Sequence, residues 1–360
     1  MRIYNFSAGP STMPLEVLEK AGSEISNYKN FGLGVMEMSH RSKPYMEIHE
    51  EAITLLKELM NIPDDYKILF VQGGASQQFA AVPLNLMSDK NSASYAITGN
   101  FAKQAHKEAS HLFDKINIIA SSEDKNFTYI PDIDISKIST SDTYLHITSN
   151  NTIFGTRYID FPDTKEVPLV SDSSSNILSE NIDINKFGIM YAGAQKNIGP
   201  SGLTVVIVRN DLLDNYTDNC PTTMKYSTQA ESDSMYNTPP TYSIYMAMLM
   251  FRWLKDFGGI EEMEKQNIYK SNLLYDYIDN SSFYTNNVEK KFRSLMNIPF
   301  ITTSKELDEK FVKEATTNNL ISLKGHRLVG GMRASIYNAM PIDGVNALIE
   351  FMKKFEMENK

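Results

Sequence analysis

Between residues 67 and 208 the sequence alternates short apolar runs with longer segments of helical period, and this constrains the fold more than any other feature. Residues 67–71, 94–98, 116–120, 144–148, 169–171, 189–192 and 203–208 read as strands, with helices over 76–87 and 101–110 between them. Apolar runs without polar alternation suit strands covered on both faces, and intervening helices supply the crossovers that parallel neighbours require. The pattern predicts an α/β fold, with a mostly parallel sheet and helices on both faces. Upstream, Ser11-Thr12-Met13-Pro14 reads as a helix start, with Leu15, Leu18 and Ile25 at helical spacing. A second helix is expected after Lys43, with Met46, Ile53, Leu56 and Met60 on one face.

Residues 212–241 are polar and turn-rich, an excursion from the core, and two long helices over 242–257 and 260–278 are separated at Gly258-Gly259. Beyond Ser281 the order changes: strand 295–301, helix 307–317, strands 320–323 and 332–337, helix 345–355. That is a smaller α+β unit packed on the larger one. The expected division is a large domain over 15–256 and a small one built from 1–14 and 257–360.

A net charge of −9 argues against nucleic acid as a partner, because phosphate backbones select basic surfaces. It leaves room for a small anion held by a few arginines. Cys220 is the single cysteine, so no intrachain disulfide forms, a cytoplasmic location is expected, and the thiol, with no activating base beside it, reads as structural. The stretch Met1 to Ser7 lacks the apolar core of a signal peptide, and no apolar run approaches the ~20 residues of a membrane span. Six histidines fall in no metal-ligand spacing, so no metal is expected, and His106 and His111 read as surface residues.

The chemistry concentrates in Ala192-Gly193-Ala194-Gln195-Lys196-Asn197. Most loop lysines are simply solvated. Lys196, however, stands between an apolar strand and a Gly/Pro/Ser turn, where small neighbours leave room for a ring and desolvation lowers the amine's pKa. Such a lysine suits a Schiff base with a carbonyl cofactor. Upstream, Asp172 ends another apolar run, and parallel neighbouring strands would bring the two to one sheet edge. A lysine on the aldehyde and a carboxylate on the pyridinium nitrogen are what pyridoxal phosphate requires. Gly73-Gly74-Ala75-Ser76 follows a strand and opens a helix, a third element, where free N–H groups can cup a phosphate. His40-Arg41, His326-Arg327 and Arg333 add planar donors for a substrate with more than one anionic group.

With those residues in view, the chain closely resembles the phosphoserine aminotransferase family, pyridoxal-phosphate enzymes of the aspartate-aminotransferase-like fold (fold type I). The resemblance runs from Asn5-Phe6-Ser7-Ala8-Gly9-Pro10 to Tyr337-Asn338-Ala339-Met340-Pro341, nearly the whole chain. It implies that Lys196 carries the cofactor and then shuttles a proton between substrate Cα and the cofactor's C4′, while Asp172 pairs with the ring nitrogen. It further implies a phosphate cup of Ala75, Ser76 and Gln195, with Asn237 and Thr238 reaching in from the second protomer. Thr152 would contact the ring's phenolic oxygen, Ser174 would support the phosphate or Asp172, and Phe101 would stack on the ring. His40 and Arg41, from the second protomer, would meet the substrate phosphate with His326 and Arg327, and Arg333 would take the α-carboxylate. The implied reaction is reversible amino transfer between phosphoserine and 2-oxoglutarate, giving 3-phosphohydroxypyruvate and glutamate, in serine biosynthesis, and the implied assembly is a homodimer. Some members also act on phosphohydroxythreonine in making pyridoxal phosphate.

Three positions depart from the family pattern: Phe101 where tryptophan is usual, Ser76 where some members carry arginine, and Asn176 where aspartate is common. Three rivals remain at this level, the blandest being an unrelated doubly wound protein whose lysine is incidental, which motif agreement along the full length disfavours. An aminotransferase using alanine or serine with glyoxylate would leave the His-Arg pairs without a second anion to bind. A catalytically silent binding protein of the same fold would have no need of Lys196 and Asp172.

Overall fold

The structure is a computed structural model, and it describes residues 2–87 and 92–360, so Met1, where the expected small domain begins, lies outside it. In chain order its strands are β1 (Tyr4–Asn5), β2 (Tyr66–Gln72), β3 (Ser92–Ile97), β4 (Lys115–Ser121), β5 (Asp142–Thr148), β6 (Leu169–Asp172), β7 (Ile189–Gly193), β8 (Leu203–Arg209), β9 (Asn297–Phe300), β10 (Leu320–Ile321) and β11 (Met332–Ser335). The helices are α1 (Leu15–Glu24), α2 (Lys43–Leu59), α3 (Gly74–Leu86), α4 (Asn100–Leu112), α5 (Tyr226–Glu231), α6 (Thr241–Asp256), α7 (Gly259–Asn280), α8 (Lys305–Thr317) and α9 (Ile342–Asn359).

Seven strands form one sheet in the order β2-β8-β7-β6-β5-β3-β4. All neighbours on the β7-to-β4 side are parallel, whereas β8 is antiparallel to both β7 and β2. The reason is the short turn between β7 and β8, which has no room for the helical crossover a parallel partner needs. Alternation distributes the strand residues to two cores. Met190, Ala192, Val205 and Ile207 pack with α2 and α6, while Ile189, Tyr191, Val206 and Val208 pack with α3 and α4. A separate core gathers Phe6, Leu274, Ile298, Phe311, Met332, Leu348 and Phe355. Within it, β9 and β11 pair antiparallel, and the first strand of the chain, β1, pairs in parallel with β10. Among the described residues, no helix is long and apolar enough to cross a membrane.

Several expectations are corrected. Helix α1 forms, but its buried face is Val17, Ala21 and Glu24, and Leu15, Leu18 and the following Ile25 face outward. Helix α2 buries Tyr45, Ile48, His49, Ala52, Leu55 and Leu56, so of the expected face Leu56 and Met60 are buried while Met46 and Ile53 are half-buried. The polar excursion is not free of regular structure. It holds α5, whose buried Tyr226 donates its phenol to Gln78 Oε1 at 2.7 Å and its N–H to Asn85 Oδ1 at 2.8 Å, docking the segment on α3. His106 is half-buried, edge-on to Tyr95 at 5.6 Å, rather than a surface residue. Cys220 is buried, which pushes its thiol pKa up and keeps it unreactive.

Candidate active site

The site grows from the carboxyl ends of two parallel neighbours. Asp172 closes β6 opposite Tyr191 of β7, and Lys196 follows β7 after Gly193. Open α/β sheets place ligands at this edge because the strands' connections diverge there. Asp172 is 5% exposed and accepts the Ser174 N–H at 3.0 Å on one carboxylate oxygen. Ser174 Oγ in turn accepts the Gly193 N–H at 3.0 Å, tying the two strand ends together. The Lys196 ammonium donates to Thr152 Oγ1 at 2.8 Å and lies 5.6 Å from the centre of the Phe101 ring. Its backbone is held from the N-terminal segment: Ser11 donates its hydroxyl to the Lys196 carbonyl and its N–H to the Gln195 carbonyl at 3.0 Å.

Burial pulls the Lys196 pKa down to about 8, Arg333 pushes the same way, and Asp172 opposes them. An amine near 8 is partly neutral at physiological pH, the form that attacks a carbonyl and accepts a proton.

Above the lysine, α3 begins at a turn that only glycine adopts without strain: Gly73 has φ +97° and Gly74 φ +71°. The first N–H groups of α3 have no partners within the helix, so Ala75 and Ser76 form the start of an anion cradle. Close approach continues at Gly193, where an added Cβ would lie 2.7 Å from Gln195 Oε1 and 3.5 Å from the Ala75 nitrogen.

These elements enclose a cavity of about 350 Å³. Of the residues singled out from the sequence, it brings together Ala75, Ser76, Phe101, Thr152, Asp172, Ser174, Gln195, Lys196, His326 and Arg333. Arg333 donates from Nη1 to the Thr152 carbonyl at 3.2 Å, and its buried Nε has no partner. Arg327 is exposed and borders a different recess, beside α8. His40, Arg41, Asn237 and Thr238 lie outside the cavity of their own chain. His40 is half-buried with Nε2 unpartnered, Arg41, Asn237 and Thr238 are exposed, and the Thr238 carbonyl accepts from Gln72 at 3.2 Å. Ala8, Gly9, Asn100, Gln104, Thr148, Asn150, Ile153 and Ser175 also line the cavity and were not singled out. Ile153 and Ser175 adjoin Thr152 and Ser174, and that adjacency was the available signal.

Comparison with known proteins fits this geometry. The class-V aminotransferase profile matches residues 3–348. A phosphoserine aminotransferase of Bacillus cereus is 53% identical over 359 residues, covering 100% of this chain and 99% of its own. The chain belongs to the phosphoserine aminotransferases of class V. The solved phosphoserine aminotransferase of Bacillus circulans subsp. alkalophilus superposes with a TM-score of 0.97 at 46% identity, over 100% of this chain and 99% of that one. The pyridoxal-phosphate-bound enzyme from Trichomonas vaginalis gives 0.94 at 40%, over 98% and 100%. The sheet with its mostly parallel order is therefore that of a fold type I transferase.

Within this aminotransferase the three departures have local settings. Phe101 stands beside Lys196 and keeps an aromatic face there, without an indole N–H. Ser76 lines the cavity at the exposed first turn of α3. Asn176 accepts from Ser149 at 2.5 Å and donates to Glu180 Oε1 at 3.1 Å. An aspartate at that position would put two carboxylates together, so the amide is the compatible residue.

The residues present fit the family's cofactor. Asp172 is a buried carboxylate that forms no ion pair among the described residues, which leaves it available to a ring N–H. Lys196 supplies a partly neutral amine, and the α3 turn supplies unpartnered N–H groups.

Proposed function

We propose that this chain catalyses reversible amino transfer between O-phospho-L-serine and 2-oxoglutarate, giving 3-phosphohydroxypyruvate and L-glutamate. The observation that carries this reading is one cavity lined by Lys196 and Asp172 together with His326 and Arg333. Asp172 and Lys196 serve any enzyme of this chemistry. Arg333 and His326 add donors for a substrate with two separate anions.

The division of labour follows from the groups. Bound pyridoxal phosphate supplies an electron sink for the pair left at the substrate Cα. Asp172, held by Ser174, would keep a proton on the ring nitrogen. The N-terminus of α3, with Ala75, Ser76 and Gln195, would hold the cofactor phosphate. Thr152 accepts from Lys196 and would orient the ring's phenolic oxygen, with Phe101 against the ring face. The Lys196 amine, partly neutral because it is buried, would take the proton from substrate Cα and hold it for return at the cofactor. Arg333 holds the α-carboxylate, and His326 with Arg327 meets the phosphate. His326 is disfavoured as a cation by burial and by Arg333 and Arg327, so it serves best as a neutral donor to phosphate.

Four further residues support a homodimer with shared sites. His40, Arg41, Asn237 and Thr238 stand outside their own cavity, and Leu15, Leu18, Ile25, Phe31 and Met36 form exposed apolar surface near one another in sequence. A contact across this surface would carry His40 and Arg41 of one protomer to the substrate phosphate of the other, and Asn237 and Thr238 to its cofactor phosphate. We further propose the domain bounds 15–256, and 1–14 with 257–360, and a cytoplasmic location.

The deciding assay is turnover of phosphoserine with 2-oxoglutarate against turnover of alanine and serine with glyoxylate. A phosphoserine preference of at least tenfold in kcat/KM is expected, being about 1.4 kcal/mol of anion recognition. No preference would refute the phosphorylated substrate.

A further inference from the structure

Helix α7 carries an apolar stripe, Met263, Leu274 and Ile278, interrupted on the same face by Asn267 and Lys270. Both polar residues are completely buried. An amine taken out of water without a carboxylate is costly unless dipoles replace its hydration. Lys270 finds them in backbone alone. Its Nζ donates toward four carbonyls, those of Tyr337 at 3.0 Å, Met340 at 3.1 Å, and Ile336 and Asn338 at 3.3 Å. Burial by itself would pull the amine toward about 7, and four carbonyl dipoles aimed at it oppose that loss of charge. The arrangement is that of a monovalent cation site in which the cation is the chain's own side chain.

The turn wrapped around this ammonium touches the active site in two directions. The Asn338 N–H donates to Asn197 Oδ1 at 3.1 Å, and Asn197 is the residue after Lys196. Asn338 also donates its amide to the Leu178 carbonyl at 2.8 Å and accepts from Asn267 at 2.9 Å. The Tyr337 phenol donates to the carbonyl of Ala8, a cavity residue, at 2.8 Å, and accepts from Asn297 at 3.1 Å. On its other side the turn is the direct continuation of β11, which carries Arg333.

We propose that Lys270 is a positioning residue for amino transfer: its ammonium folds residues 336–340 around itself, and that turn sets Lys196, through Asn197, and Arg333, through β11, in register with each other. The inference rests on the transamination reading above. It goes beyond it in naming a residue that touches neither cofactor nor substrate.

Lys270→Met keeps the volume of the stem and removes the donors. Kinetics are measured per cofactor-loaded site, counted by pyridoxal phosphate released on denaturation, so that loss of folded protein drops out. The expected result is a rise in KM for glutamate and for phosphoserine together, with kcat/KM falling roughly tenfold or more for both, as a small misplacement of reacting groups produces. A lower melting temperature with both KM values within twofold of wild type would overturn the proposal. If Lys270→Met does not fold, Tyr337→Phe cuts one link from the turn to the cavity while leaving Lys270 in place. It is expected to raise both KM values by a smaller factor, and unchanged values overturn the proposal equally. The two readings fail separately: a wild-type enzyme that transaminates glutamate but ignores phosphoserine loses the substrate assignment, while its KM for glutamate still decides Lys270.

Discussion

The two walls of the cavity are built differently. The wall carrying Asp172, Ser174 and Lys196 consists of strand ends from the middle of a seven-stranded sheet, cross-tied by Ser174 and Thr152. The wall carrying His326 is a loop between two short strands, where Leu328 is 55% exposed and Arg327, exposed as well, borders the neighbouring recess. On the proposed assignments, chemistry that tolerates little error in atom positions falls to the first wall, and recognition of a particular substrate to the second. Arg333 is the intermediate case, on strand β11 but donating across to Thr152.

This contrast can be broken by substitution. Lys196→Ala should lower transamination by on the order of 10⁴-fold with every substrate, since it removes the group that moves the proton. Residual turnover above one-hundredth of wild type would dissociate that wall from the chemistry. Asp172→Ala should lower kcat by about 10²- to 10³-fold and speed loss of cofactor on dialysis, again for all substrates. On the second wall the effect should depend on substrate. Arg327→Ala should cost about 1.5–3 kcal/mol, or roughly 10- to 150-fold in kcat/KM, for phosphoserine and little for glutamate. Equal losses would show that the loop does not read the phosphate. The smallest change sharpens the first wall: Phe101→Trp should tighten retention of pyridoxal phosphate by about 0.5–1.5 kcal/mol, measured as the off-rate from the holoenzyme.

The first wall also has a pH signature. Because burial holds the Lys196 amine near 8, below an ordinary lysine, its neutral form accumulates as pH rises through 8 and is scarce below 7. Covalent capture of pyridoxal phosphate by the cofactor-free protein, trapped with borohydride and read by mass, should accelerate up to about pH 8 and level off above it. At pH 6 it should be about a hundredfold slower than the plateau. A rate still rising steeply between pH 9 and 10 would place the amine at its unperturbed value.

The same contrast explains what could be read from sequence. Strands such as Leu203–Arg209, apolar at successive positions, announce burial on both faces, and the end of such a run locates Asp172 and Lys196 at one edge without any knowledge of contacts. Helix faces are harder, because spacing marks a stripe but not what covers it. Leu15, Leu18 and Ile25 repeat helically yet face out of this chain, whereas Val17, Ala21 and Glu24 face in, with Glu24 accepting from the buried Tyr245 phenol at 2.6 Å. Lys270 shows a different obstacle. Its partners are backbone carbonyls, which every sequence has, so only its place in an apolar stripe betrays it. Helix α5 was hidden for the opposite reason, being six residues of mostly polar character anchored by one tyrosine.

The pairing of β1 with β10 bears on how the molecule is made. Tyr4 lies far ahead of Leu320 in the chain and finds its strand partner only when Leu320 has been made. Until then Ser11, which holds the backbone at Gln195 and Lys196, hangs from a segment with one end untied. During translation the large sheet can assemble well before Lys196 is strapped in place. Competence to hold cofactor should therefore follow the synthesis of β10 rather than that of the large sheet.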